Sequence, residues 1–94
     1  VSVRITHIRL SGNGNVDHEH ITHYAWVSSE IGKAYASSKA AMVEWIDKEG
    51  GRAFVESAGT VVSVGVVKPH RGEPYLRTQA NGVWTDSLLS LPRF

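Results

Sequence analysis

The residues best suited to chemistry lie in one run, Asp17-His18-Glu19-His20-Ile21-Thr22-His23. Its last three residues repeat an earlier Ile5-Thr6-His7, so four of the five histidines fall in the first quarter of the chain. Histidine binds metals through a neutral ring nitrogen and titrates nearest to physiological pH. His18 and His20 are two apart, and in an extended chain both rings project from one face. That spacing serves a zinc or nickel ion once a further ligand is close. His23 has the opposite parity and joins only if the chain bends around 19–21, with His7 behind it across the strands. Asp17 and Glu19 would supply oxygen ligands or orient the imidazoles. The competing expectation is that His18 and His20 are solvated loop residues, and that His7 and His23 are hydrogen-bonded sheet residues. The chain lacks cysteine and any wider ligand-spacing motif, which favours the second expectation and no resident cofactor.

Strands must position these rings. Val1 to Leu10 has the apolar content of a strand, with Val1, Val3, Ile5 and His7 on one face and Ile8 and Leu10 on the other. The change of parity predicts a bulge or a buried end. Ser11-Gly12-Asn13-Gly14-Asn15 is a turn, and Ile21 to Ser28 returns as the second strand. A register with His7 opposite His23, Ile5 opposite Ala25 and Val3 opposite Val27 gathers the apolar residues of both strands on one side. After a turn at Ser29-Glu30, a third strand covers Gly32 to Ala36. Ser37 or Ser38 then caps a helix from about Lys39 to Glu49. Met42, Val43, Ile46 and Trp45 form its buried stripe, and Gly50-Gly51 ends it.

The second half is rich in β-branched residues. It predicts strands at Arg52–Ser57, Val61–Val67, Tyr75–Gln79 and Val83–Ser87, with the third and fourth joined by Asn81-Gly82, the strongest hairpin signal present. That hairpin pairs Ala80 with Val83 and brings Arg77 to Asp86 as a structural cross-strand ion pair. Leu88, Leu89 and Leu91 close the core. The expected fold is α+β: a single small domain over 1–94, in βββ-α-ββββ order. Its strongly bent antiparallel sheet packs on one helix and curls toward a partial barrel. The crossover helix leaves room for parallel neighbours among the strands.

Composition bounds the partners. With 94 residues and 41% apolar content, the chain builds one modest core. Ten basic residues against nine acidic ones give a net charge of +1, too small a field to favour nucleic acid or an anionic membrane. No apolar run reaches the roughly 20 residues of a membrane span. No signal-peptide pattern opens the sequence, and Val1 is what removal of an initiator methionine would leave. The lack of cysteine suits a reducing, cytoplasmic setting.

Three groups of residues carry a family resemblance. The first is Ile5-Thr6-His7-Ile8-Arg9-Leu10-Ser11-Gly12 followed by His18-Glu19-His20-Ile21. The second is Val43-Glu44-Trp45-Ile46 with Gly50-Gly51-Arg52-Ala53. The third joins Pro74-Tyr75-Leu76-Arg77-Thr78 to Asn81-Gly82-Val83-Trp84-Thr85-Asp86, Leu88-Leu89 and Leu91-Pro92. Together they resemble the small, mostly bacterial domain of unknown function 3892 family over nearly the whole chain. The resemblance implies a bacterial, cytoplasmic, free-standing domain and brings no activity or catalytic residue with it.

Catalysis is not expected. No serine sits in a nucleophile elbow, and Gly12-Asn13-Gly14 lacks the strand–turn–helix setting of a phosphate loop. A nucleic-acid reading would put Tyr24, Trp26 and Tyr35 on an open face near Lys33 and Arg4. The plainer alternative buries these rings beneath the helix against Trp45 and Met42. Three Trp and three Tyr exceed what one small core fully encloses. An exposed aromatic patch or an open strand edge would therefore receive a protein partner or a second copy. Trp84, Tyr75, Tyr24 and Trp26 are the candidate contacts, with terminal Phe94 beside them. The leading expectation is a protein-binding or self-associating module. The alternatives are a metal site from His18, His20, His23 and His7, and then a nucleic-acid-binding sheet.

Overall fold

The computed structural model of the chain describes residues 2–11, 18–28, 30–57, 59–80 and 82–94. The expected turn at 12–15, Asp17, and the turn residues Ser29, Ala58 and Asn81 lie outside the described residues. Among the described residues, seven strands and one helix follow the expected order. They are β1 (Ser2–Leu10), β2 (Ile21–Ser28), β3 (Ala34–Ser38), α1 (Lys39–Lys48), β4 (Arg52–Ser57), β5 (Thr60–Val67), β6 (Tyr75–Ala80) and β7 (Val83–Thr85). Two 3-10 turns, His18–His20 and Ser87–Ser90, are additional.

The helix begins where a serine satisfies its first turn. Ser38 stays extended at ψ 159° and its hydroxyl accepts a hydrogen bond from the Ala41 amide at 3.2 Å. It ends at Gly50, whose φ of 71° suits glycine, while the Gly51 amide donates to the Trp45 carbonyl at 3.1 Å. The chain then has to return. β1, β2 and β3 alternate in direction and α1 runs back, so β4 enters parallel to β1 and pairs with it through Ser2, Val3 and Arg4. The sheet is therefore mixed, not antiparallel throughout, in the order β3-β2-β1-β4-β5-β6-β7. Its end strands β3 and β7 do not join, so the curl does not close into a barrel.

The helix lies on one face of the sheet. Val3, Ile5 and Ile8 of β1, Ile21 and Tyr24 of β2, and Ala53 and Val55 of β4 meet Met42 and Val43 there, with Val64, Leu76 and Leu88 completing the core. The opposite face carries Arg4, Arg9, Phe54, Arg77 and Trp84, which follows from their alternation with those buried residues.

The observed β1–β2 register corrects the expected one. Ile5 faces Trp26, His7 faces Ala25, and His23 faces Arg9 instead of His7. Two bulges cause the shift, one between Ile5 and His7 and one opposite Arg9 and Leu10. Thr6 and Thr22 are the extra residues. Each hydroxyl reaches across and donates to a carbonyl on the facing strand, Thr6 to Ala25 at 3.3 Å and Thr22 to Arg9 at 3.2 Å. The repeated Ile-Thr-His is thus a pair of opposed bulges, and each one rephases its strand so that Ile8 and Tyr24 turn into the core.

The C-terminal residues are tied down. Ile8 donates from its amide to the Pro92 carbonyl at 3.0 Å and accepts from the Phe94 amide at 3.1 Å. Residues 92–94 thereby continue the sheet along the part of β1 that β4 does not reach.

Candidate functional site

The four N-terminal histidines do not converge. The segment 18–20 is a 3-10 turn, which rotates about 120° per residue, so side chains two apart diverge. The extended His-X-His arrangement is absent. His18 is buried and its ring stacks on Tyr75 with centroids 6.3 Å apart. His20 lies at the start of α1, in a depression lined by Ser11, Lys39 and Glu73 among others. The turn is held from outside by the Lys39 ammonium, which donates to the Glu19 carbonyl at 2.9 Å. His7 and His23 belong to the helix-free face, where the His7 ring meets the edge of Phe94 at 6.4 Å. Among the described residues, no three His, Cys, Asp or Glu side chains gather where one metal ion could be held.

The two bulges do fix the chemistry of His7 and His23. Each Nδ1 contacts the hydroxyl of the preceding threonine, at 2.9 Å for His7 and 3.0 Å for His23. A hydroxyl has a single proton, and each threonine spends it on a carbonyl. With the threonine proton on the carbonyl, the imidazole is the donor, an arrangement that favours the proton on Nδ1 and leaves Nε2 as the acceptor. Long-range nitrogen–proton NMR on the neutral rings is expected to show the Nδ1–H form for both. An Nε2–H pattern would mean that the threonines donate to the rings instead.

The aromatic candidates separate into different environments. Trp84 sits on the helix-free face over Gly65, its ring 3.2 Å from where a Cβ would stand, and remains 39% exposed. Tyr75 is half-buried against His18. Phe94 lies under the Arg9 guanidinium, 4.6 Å from its ring centre. Arg77 and Asp86 form the ion pair of the last hairpin at 2.8 Å. Tyr24 is fully enclosed, so it belongs to the core and forms no part of a surface. Nor do Tyr24, Trp26 and Tyr35 share a face with Arg4. They lie on the helix side, whereas Arg4 points away and reaches Glu56 at 3.4 Å.

Burial pushes the Tyr24 phenol well above the ordinary tyrosine range, and the backbone of Leu76 offsets only part of this. The unfolded chain ionises this group near pH 10, while the folded chain holds it neutral to higher pH. Its contribution to stability is therefore constant below about pH 10 and falls as pH rises further. Tyr24→Phe should flatten the alkaline loss by up to about 1.4 kcal/mol per pH unit in urea titrations between about pH 8 and 11.5. Parallel curves for the two proteins would show that another group carries the loss.

One cleft gathers large side chains without being filled. Trp26 and Tyr35 face each other in the β2–β3 ladder and stack with centroids 4.6 Å apart. The Trp26 indole donates to the Ser37 hydroxyl at 3.0 Å, which fixes the ring. Across from them stand Met42 and Trp45 of α1. With Val3, Ser28, Ile31 and Ala41, these residues border a cleft of about 400 Å³ whose lining, among the described residues, carries no charged side chain. Ile31 and Tyr35 remain 64% and 40% exposed at its mouth. Sequence reasoning placed Trp26 and Tyr35 near Met42 and Trp45 as one alternative, but as filled core and not as an open cleft. The usable signal was the pairing of Trp26 with Tyr35 across the β2–β3 turn, opposite the Met42–Trp45 stripe.

Tyr35 and Ser37 belong to β3, which among the described residues is an end strand with no partner on its outer side. Ser28 donates to the Lys33 carbonyl at 3.1 Å, and pairs alternate along an antiparallel ladder. The amides of Tyr35 and Ser37 therefore face β2, and those of Ala34 and Ala36 face outward.

The family described as "Protein of unknown function (DUF3892)" matches residues 4–92. No curated protein and no solved structure matches the chain.

Proposed function

The chain belongs to this DUF3892 family, and we propose that it is a protein-binding module that takes an extended segment of a partner as an additional strand beside β3. The observation that carries the reading is the state of that edge. Natural sheets guard their edges with charge, proline, bulges or brevity. Ala34-Tyr35-Ala36-Ser37-Ser38 has no charge and no proline, its register with β2 is unbroken, and among the described residues it is the end strand of the sheet. The other end is guarded. β7 is three residues long and is followed by Asp86, which Arg77 holds. Strand addition uses main-chain hydrogen bonds for affinity and nearby pockets for choice, and the outward amides of Ala34 and Ala36 beside the cleft suit both. The module acts by binding, not catalysis, and the cysteine-free composition suits a cytoplasmic bacterial setting.

Ala36→Pro tests this directly. It removes an outward donor while leaving the ladder to β2 in place. Peptides selected on the wild-type domain by display should bind the variant at least about tenfold more weakly, with the fold unchanged by circular dichroism. Failure to select any peptide, or equal binding by both proteins, would count against strand addition.

A further inference from the structure

We propose that the Trp26–Tyr35–Trp45 cleft is a specificity pocket for one large uncharged side chain, aromatic or long aliphatic, carried by the segment that pairs with β3. This rests on the strand-addition reading and names what that site selects. Side chains of an added strand alternate between the two faces of the sheet. Every second one therefore lies on the helix side, next to Tyr35 and Ser37, which line the cleft.

The lining decides the class. Among the described residues no charged side chain borders the cavity, and both of its serine hydroxyls accept a hydrogen bond. Ser37 accepts from the Trp26 indole, and Ser28 accepts from the Glu30 amide at 3.4 Å. A charged side chain would lose its hydration and meet no counterion there. An apolar one would meet the stacked rings on one side and Met42 on the other, whose unbranched thioether adapts to different shapes. The volume of about 400 Å³ lies in the range of small-ligand pockets and exceeds what a small side chain fills. Exposed Ile31 and Tyr35 at the mouth connect the cavity to the free edge.

The pocket can be probed apart from the edge. The probe is N-acetyl-4-fluorophenylalaninamide, followed by fluorine NMR, with the N-acetyl amides of aspartate and lysine as charged competitors. The neutral probe should bind the wild-type domain saturably and bind Ala36→Pro equally well. It should be lost in Ala41→Trp, where an exposed helix position fills the cavity. The charged competitors should not displace it. In selected peptides, replacing the anchor residue by alanine should weaken binding about tenfold to a hundredfold.

Absence of probe binding to the wild-type domain overturns the pocket and leaves strand addition to the peptide and Ala36→Pro result. Equal binding by the charged compounds overturns the selection. Probe loss in Ala36→Pro assigns the signal to the edge and overturns the separate pocket. A dimer that excludes the probe until diluted shows that a second copy covers the cleft, and overturns the peptide as its occupant.

Discussion

Leu88→Ala is expected to destabilise the domain by about 2–5 kcal/mol, the range for emptying a fully buried leucine site. Leu88 is 0% exposed and comes from the 3-10 turn Ser87–Ser90, which packs on β4 and β6. The site has little freedom to collapse, because polar bonds hold the turn. The Ser87 amide donates to the Thr78 hydroxyl at 3.2 Å. That hydroxyl is itself buried and meets the Thr85 hydroxyl at 2.6 Å and the Thr85 carbonyl at 3.1 Å. A domain of this length has a total stability of about 5–14 kcal/mol. The loss would thus be a large share of it, and chemical denaturation should read it as a lower midpoint with an unchanged slope. A loss below about 1 kcal/mol would show that the C-terminal turn is not part of the cooperative unit.

Gly51→Ala is the second large effect, and it reaches the cleft. A Cβ at Gly51 would stand 2.3 Å from the Trp45 indole, well inside any real contact. Gly51 is held by its bond to the Trp45 carbonyl, so the ring has to move. Overpacking of this kind costs about 1–3 kcal/mol, and the displaced indole is a wall of the cleft. Two readouts should therefore change together: stability falls, and the pocket probe binds more weakly. Gly50→Ala provides the contrast. Its Cβ would meet nothing within 4 Å, and its φ of 71° alone costs about 1–2 kcal/mol. It should lose stability without losing the probe. If both variants bind the probe like wild type, Trp45 is not needed for the cavity.

The open edge explains why the cleft lies where it does. α1 starts directly after β3 and crosses back over the sheet, so its first turns cover β2 and β3 only in part. Val43 sinks into the core, while Trp45 and Ile46 are only partly buried. Large side chains left at this margin create a cavity instead of filling one.

Local chemistry made much of the fold legible in the sequence. The helix cap at Ser38, the glycine stop, the spans of β2 and β4 and the Ala80–Val83 pairing each depend on residues within a turn or two. So does the Arg77–Asp86 ion pair, because a two-residue hairpin turn fixes what lies beyond it. The histidine run was legible only as composition. Its expected metal geometry assumed an extended backbone, and the 3-10 turn removed that premise.

By itself, the sequence determined the order of the strands and the helix and the bounds of β2 and β4, because propensity, capping and turn preference act over a few residues. The third strand lies two residues later than expected, the last stops at Thr85 instead of Ser87, and the two 3-10 turns had no local signal. Only the tertiary structure decided the register of β1 on β2, the parallel pairing of β1 with β4, and the cleft. A register can slip by one residue at each bulge. Whether Thr6 and Thr22 bulge depends on carbonyls of the facing strand, Ala25 and Arg9. The partner of β4 depends on which strand still offers an edge once the helix has crossed. The cleft depends on residues as distant in sequence as Val3 and Trp45 lining one space, a packing outcome with no local signature.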